Sequence, residues 1–148
     1  MIALQNNDAY IGELLLRDGA IAREDLDKGL EEQKKTRDFL CSTLVRLGFA
    51  SEEKIFSILS LQIGVPFLNL QDVEIDRNVL GRIPGNFALA CKFFPIKESD
   101  GALYIAMADP LNSGAVDEIK SYLGADNLKV FLASDSEIRR AIKAHYGI

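Results

Sequence analysis

Apolar positions recur along the first sixty-odd residues in a pattern that is used twice. Tyr10–Gln33 and Phe39–Gln62 align without a gap at a spacing of 29 residues. Leu15/Leu44, Arg17/Arg46, Gly19/Gly48, Glu24/Glu53, Leu30/Leu59 and Gln33/Gln62 are identical pairs, and Ile11/Leu40, Leu16/Val45 and Leu26/Ile55 are apolar in both copies. A self-similar stretch of this length is one supersecondary unit repeated. Each copy reads as a short helix, a glycine turn and a longer helix. Ile11, Leu14, Leu15 and Asp18 share a face in the first short helix, and Leu40, Leu44 and Leu47 in the second. Gly19 and Gly48 stand where a helix stop requires a left-handed residue. The longer helices carry stripes Leu26-Leu30-Gln33, over Arg23–Lys35, and Ile55-Ile58-Leu59-Gln62, which Ser51 caps. Two similar units in tandem can build a pseudo-symmetric surface that suits a two-lobed ligand or a partner helix.

Gly64-Val65-Pro66 ends this pattern, because proline biases the preceding residue away from helix and glycine stops the helix before it. Beyond it, Phe67–Leu70 reads as a short strand, and Asp76 caps a helix over Arg77–Arg82 that Pro84-Gly85 interrupts. Phe87–Lys92 resumes as a helical turn. Phe93–Lys97 and Leu103–Ala108 are strands around Asp100-Gly101, a strong hairpin signal. Ser113–Leu123 is an amphipathic helix stopped by Gly124, Leu128–Leu132 a third strand, and Ser134-Asp135-Ser136-Glu137 a capping box that opens a helix through Tyr146. The pattern predicts an α+β protein: a four-helix tandem repeat over residues 1–65, then a small α/β unit over residues 66–148 with a three-stranded sheet and flanking helices.

Composition narrows the function classes. The 148 residues are 48% hydrophobic, enough for a sizeable core, and carry a net charge of −5. That balance argues against nucleic acid, which is bound through clustered Lys and Arg. No apolar run approaches the roughly 20 residues of a membrane span, so direct membrane insertion is not expected. Gln5, Asn6, Asn7 and Asp8 exclude a signal peptide at the N-terminus. Two cysteines fifty positions apart read as free thiols in a reducing cytoplasm.

Catalytic chemistry finds little foothold. Neither GxxxxGK[ST] nor GxGxxG occurs, and the chain is expected not to be an enzyme. A zinc centre would have to combine Cys41, Cys91 and His145 with carboxylates, yet Cys41 stands at the repeat position of Gly12 and reads as helix packing. Arg17 and Arg46 near their helix ends favour the dipole as solvated cations, or else face a ligand as guanidiniums suited to phosphates. Gln33 and Gln62 close both stripes and carry the same two readings. Lys34-Lys35-Thr36-Arg37 is the basic cluster of the acidic first half.

The repeat resembles the N-terminal domain of the ATPases that power type II secretion and type IV pilus assembly. Units in that family read roughly Arg-Leu-Gly-x-x-Leu-Leu, Gly-x-Ile and Leu-x-x-Ala-Leu-x-x-Gln. Here they read Tyr10-Ile11-Gly12-Glu13-Leu14-Leu15-Leu16, Gly19-Ala20-Ile21 and Leu26-Asp27-Lys28-Gly29-Leu30-Glu31-Glu32-Gln33, then Phe39-Leu40-Cys41, Gly48-Phe49-Ala50 and Ile55 through Gln62. Gln62 through Phe67, Phe94-Pro95-Ile96, Ala106 through Pro110 and Ala141 through Tyr146 are similar to the family's junction and second half.

The resemblance implies a non-catalytic module ahead of a hexameric ATPase core. That module is cytoplasmic and peripheral to the inner membrane through a partner. Some members bind cyclic di-GMP in the repeat; others dock on the inner-membrane platform protein. Carried onto this chain, a cyclic di-GMP site would comprise Tyr10, Ile11, Gly12, Arg17, Gln33, Phe39, Leu40, Arg46 and Gln62. Tyr10 and Phe39 stand where the family opens each unit with arginine, and Cys41 replaces the second glycine. Two lost guanidiniums remove charge-assisted bonds worth about 1.5–3 kcal/mol each, so docking is favoured over nucleotide sensing. The fourth helix is apolar nearly all round, and counting its faces makes Phe56, with Phe49 beside the turn, the expected exposed anchors for a partner.

Overall fold

Each repeat folds as helix, left-handed turn, helix. The computed structural model describes residues 2–124 and 127–148, with side chains from Tyr10 onward. The tandem repeat holds α1 (Ile2–Arg17), α2 (Arg23–Thr36), α3 (Leu40–Arg46) and α4 (Glu52–Ile63). At 16 residues, α1 is the longest of the four and not the short helix expected. It continues backward through a polar stretch that the apolar pattern does not mark. Gly19 and Gly48 take φ of +71° and +81°. The glycine N–H donates to Leu16 in one copy and to Val45 in the other, both at 3.0 Å. The next residue's N–H donates to Leu15 at 3.0 Å and to Leu44 at 3.1 Å. These are matching Schellman motifs, and they satisfy the carbonyls that a helix end otherwise leaves orphaned. Ser51 Oγ accepts the Lys54 N–H at 3.1 Å and starts α4.

The repeats pack by exchange rather than by translation. Helix α1 lies against α4 and α2 against α3, in addition to the pairs within each repeat. Swapping the two copies carries α1/α4 onto α3/α2, which is the relation of a pseudo-two-fold axis. A translational stack would leave α1 and α4 apart. Ile11, Leu15, Leu40, Leu44, Ile55 and Leu59 are fully buried at the centre. Gly29 allows the close approach of α2 to α3: a Cβ there would stand 2.5 Å from Leu44 Cδ2.

The chain divides into compact units at Met1–Val65 and Pro66–Ile148. The second holds α5 (Arg77–Arg82), α6 (Gly85–Cys91), β1 (Phe93–Ser99), β2 (Ala102–Met107), α7 (Ser113–Leu123), β3 (Leu128–Leu132) and α8 (Asp135–Tyr146). The sheet order is β1-β2-β3, with β1 antiparallel and β3 parallel to β2, so α7 is the crossover helix. Asp100 and Gly101 both take positive φ, 53° and 77°, as a two-residue type I′ hairpin requires. The α+β class holds. The expected strand Phe67–Leu70 does not form. Phe67 makes a single bridge to Leu132, and Asn69 accepts the Gln71 N–H at 3.0 Å, turning Leu70–Asp72 into one 3₁₀ turn. That local Asx bond outcompetes the sheet ladder. Helix α6 begins at Gly85, earlier than Phe87, and a Cβ at Gly85 would meet Tyr146 Cγ and Ile148 Cδ1 at 2.9 Å.

Candidate functional site

The residues that open each repeat are not equivalent in space. Tyr10 on α1 is 51% exposed, whereas its counterpart Phe39, at the N-cap of α3, is buried at 7%. The Phe39 ring lies 6.4 Å from that of Phe56. Ile11 and Leu40 are fully buried, as is Cys41, and Gly12 is buried with Leu26 Cδ1 2.9 Å from where its Cβ would be. The side chains of Ile11, Phe39 and Leu40, members of the set carried over from the resemblance, are therefore part of the core. The reason is periodicity: the residues after each opening position fall on the stripe that the pseudo-two-fold turns inward.

Phe56 is also core, 1% exposed, which corrects its expected role as an exposed anchor. Face-counting assigned the buried stripe to Ile55, Ile58 and Leu59. Phe56 is buried with its ring 6.4 Å from that of Phe39, and Ile58 is left half-buried. Phe49, just after the Schellman glycine, is half-buried. The exposed apolar residue of α4 is Leu61, at 83%.

The polar repeat pairs form two corners. Arg46 Nη2 stands 3.8 Å from Glu32 Oε1, tying the end of α3 to the last turns of α2. At the other corner Gln62 Nε2 donates to Asp18 Oδ2 at 2.8 Å, tying the end of α4 to the end of α1. Arg17 is exposed beside Asp18. Gln33 is half-buried in the last turn of α2, where its carbonyl accepts the Arg37 N–H at 2.7 Å. An exposed ion pair such as Arg46–Glu32 contributes about 0–1 kcal/mol, so that corner is weakly held, while the other rests on one exposed amide–carboxylate hydrogen bond. Sequence reasoning missed Leu61 and Asp18. The signal was present, since Leu61 stands where the first repeat has Glu32 and Asp18 where the second has Leu47.

The second unit offers less chemistry. Cys91 is half-buried, and burial first, then the Glu118 carboxylate, raises its thiol above the ordinary range. A raised thiol is the opposite of an activated nucleophile. The His145 ring packs 5.4 Å from Phe94. Among the described residues, no group of three His, Cys, Asp or Glu side chains could hold a metal ion, and no helix is long and apolar enough to cross a membrane.

Residues 63–148 match the MshEN domain. The type IV pilus assembly ATPase PilB of Myxococcus xanthus is 35% identical over 136 residues, covering 92% of this chain and 24% of that protein. PilB of Thermus thermophilus is 27% identical over 148 residues, covering 99% of this chain and 16% of that protein. The chain thus spans a quarter or less of the length of these relatives. A solved structure of MshE with cyclic di-GMP superposes with a TM-score of 0.75 at 26% identity, covering 92% of this chain and 98% of the other. The N-terminal domain of XpsE superposes with a TM-score of 0.73 at 22% identity, over 93% of this chain and 94% of the other, and shares the fold.

Proposed function

The chain belongs to the MshEN family, the N-terminal domain of type II secretion and type IV pilus assembly ATPases, and on that premise we propose that it is a non-catalytic module that docks such an ATPase on the inner-membrane platform protein of its machine. The observation that carries the choice is Phe39. It occupies the position that opens the second repeat, where the resemblance calls for arginine, and it is buried against Phe56. Presenting that ring to a ligand would expose a filled core position. The guanidinium of that repeat, Arg46, stands 3.8 Å from Glu32 and not at the opening position. A cyclic dinucleotide with two phosphates needs charge-assisted donors on both sides, and the second repeat supplies none at its opening. Docking needs adaptable corners and exposed apolar surface, and Leu61 with Tyr10 provides the latter.

The rest of the proposal follows from the relatives. An ATPase core would lie downstream, as this chain covers only 24% and 16% of the two pilus ATPases. The module would work in the cytoplasm, peripheral to the inner membrane through its partner. Under the second reading the chain is a cyclic di-GMP sensor, which the MshE structure supports. In that case the residues of the set with exposed or half-buried side chains are Tyr10, Arg17, Gln33, Arg46 and Gln62. Calorimetric titration with cyclic di-GMP separates the two. Docking expects weak or absent heat, together with capture of the platform protein's cytoplasmic region. Sub-micromolar nucleotide affinity overturns it.

A further inference from the structure

The pseudo-two-fold supplies an internal control within the helical unit. Exchange of the repeats carries Arg46 onto Arg17, Glu32 onto Leu61, Leu47 onto Asp18 and Gln33 onto Gln62. The contact pattern obeys that exchange, with α3/α2 at one corner and α1/α4 at the other. Both corners are joined by a side-chain bond between helix ends: Arg46–Glu32 at 3.8 Å and Gln62–Asp18 at 2.8 Å.

The second-repeat corner is closed, because its arginine has a carboxylate. The first-repeat corner is open. By that exchange Leu61 is the repeat counterpart of Glu32, and it is 83% exposed, more than any other large apolar side chain described; its chain neighbour Gln62 bonds Asp18, the residue after Arg17. The carboxylates near Arg17 are committed elsewhere. Glu13, one turn earlier on α1, is 3.5 Å from Arg23, and Asp18 accepts from Gln62. Among the described residues Arg17 itself makes no ion pair. Two turns back on the same face of α1, Tyr10 is half in water. Arginine and tyrosine are residue types enriched at protein interfaces, and Leu61 adds solvated apolar area on the adjoining helix α4.

We propose that this α1/α4 corner, centred on Arg17 and Leu61, is the docking surface, and that the partner presents a carboxylate next to an apolar side chain. The incoming carboxylate takes the part that Glu32 plays at the other corner, and the apolar neighbour covers Leu61 and Tyr10. The inference rests on the docking function proposed above and replaces Phe56 as the anchor.

The test places a benzophenone photo-cross-linking residue in the 148-residue chain at position 61 or at its repeat counterpart, position 32. Each version is mixed with the cytoplasmic region of the platform protein. Cross-linking from 61 and not from 32 is expected. Arg17→Glu, with unchanged far-UV circular dichroism, should weaken capture by about tenfold, whereas Arg46→Ala should leave it unchanged. Equal cross-linking from both positions, cross-linking into a second copy of the chain or into lipid vesicles instead, or undiminished capture by Arg17→Glu would overturn the corner while leaving docking standing. Failure of the wild-type chain to capture the platform at all would overturn the docking function and this inference together.

Discussion

Replacing Gly29 by alanine sets two effects of opposite sign against each other. Glycine inside a helix costs about 0.5–1 kcal/mol relative to alanine, so propensity alone makes Gly29→Ala stabilising. Tertiary packing reverses this. The added Cβ would lie 2.5 Å from Leu44 Cδ2, 3.4 Å from Leu44 Cγ and 3.7 Å from Leu40 Cδ1. Carbon atoms prefer about 3.5–4.0 Å, so α2 and α3 must separate by up to about 1 Å or Leu44 must leave its rotamer. Leu40 and Leu44 are fully buried, so either adjustment disturbs the core. Overpacking of this kind costs about 1–3 kcal/mol. The net effect is a loss of up to about 2 kcal/mol. The same separation pulls at Arg46–Glu32, which crosses the interface one turn further along α2. Gly81 in α5 is the control, since its Cβ would meet nothing within 4 Å and its φ is not positive. Alanine there should gain up to about 0.5–1 kcal/mol. Urea denaturation followed by far-UV circular dichroism reads both variants against the parent. If Gly29→Ala raises the midpoint as Gly81→Ala does, the helices do not approach as closely as the structure has them, and the packing argument fails.

Three further outcomes follow from burial and backbone geometry. Phe56→Ala should cost about 3–5 kcal/mol in the same denaturation assay, and combining it with Phe39→Leu should be non-additive because the rings are in contact; a variant as stable as the parent would restore Phe56 to the surface. Gly101→Val forces a β-branched residue to φ +77° in the hairpin and should cost about 1–3 kcal/mol, read as a lower Tm, with an unchanged Tm counting against the type I′ turn. The third concerns alkaline pH. Burial raises the Cys91 thiol above its ordinary 9.0 and the Tyr146 phenol above its ordinary 10.0, Glu118 adding to the former. The folded state therefore keeps these protons longer than the unfolded one. Their stabilisation is complete below the ordinary values and is lost as pH rises through the folded ones. Cys91→Ala with Tyr146→Phe should flatten the fall of the denaturation midpoint above pH 9, and an unaltered slope would show that neither group is shifted.

Much of the architecture was legible because the interactions that set it span one to five residues. The Schellman turns at Gly19 and Gly48, the Ser51 and Ser134 caps, the Asp100-Gly101 hairpin, and the elements Ser113–Leu123 and Leu128–Leu132 are written in local chemistry, and each lies where the pattern put it. The tandem repeat was equally plain, because identity at a fixed spacing needs no structure to be seen. Tertiary structure decided which faces those elements lose to one another. Ile11 and Leu40 carry the family pattern in sequence and Phe39 departs from it, yet packing turns all three into the core. Phe56 and Leu61 are five residues apart on one apolar-rich helix, and the first is buried, in ring contact with Phe39, while the second stays in water. The asymmetry between Arg17 and Arg46 has the same origin. Both arginines occupy the same position in the repeat, and Arg46 meets Glu32, whose counterpart in the second repeat is Leu61. Local propensity fixes a helix and its ends, but burial and charge pairing are properties of two surfaces in contact, and a linear pattern describes one surface at a time.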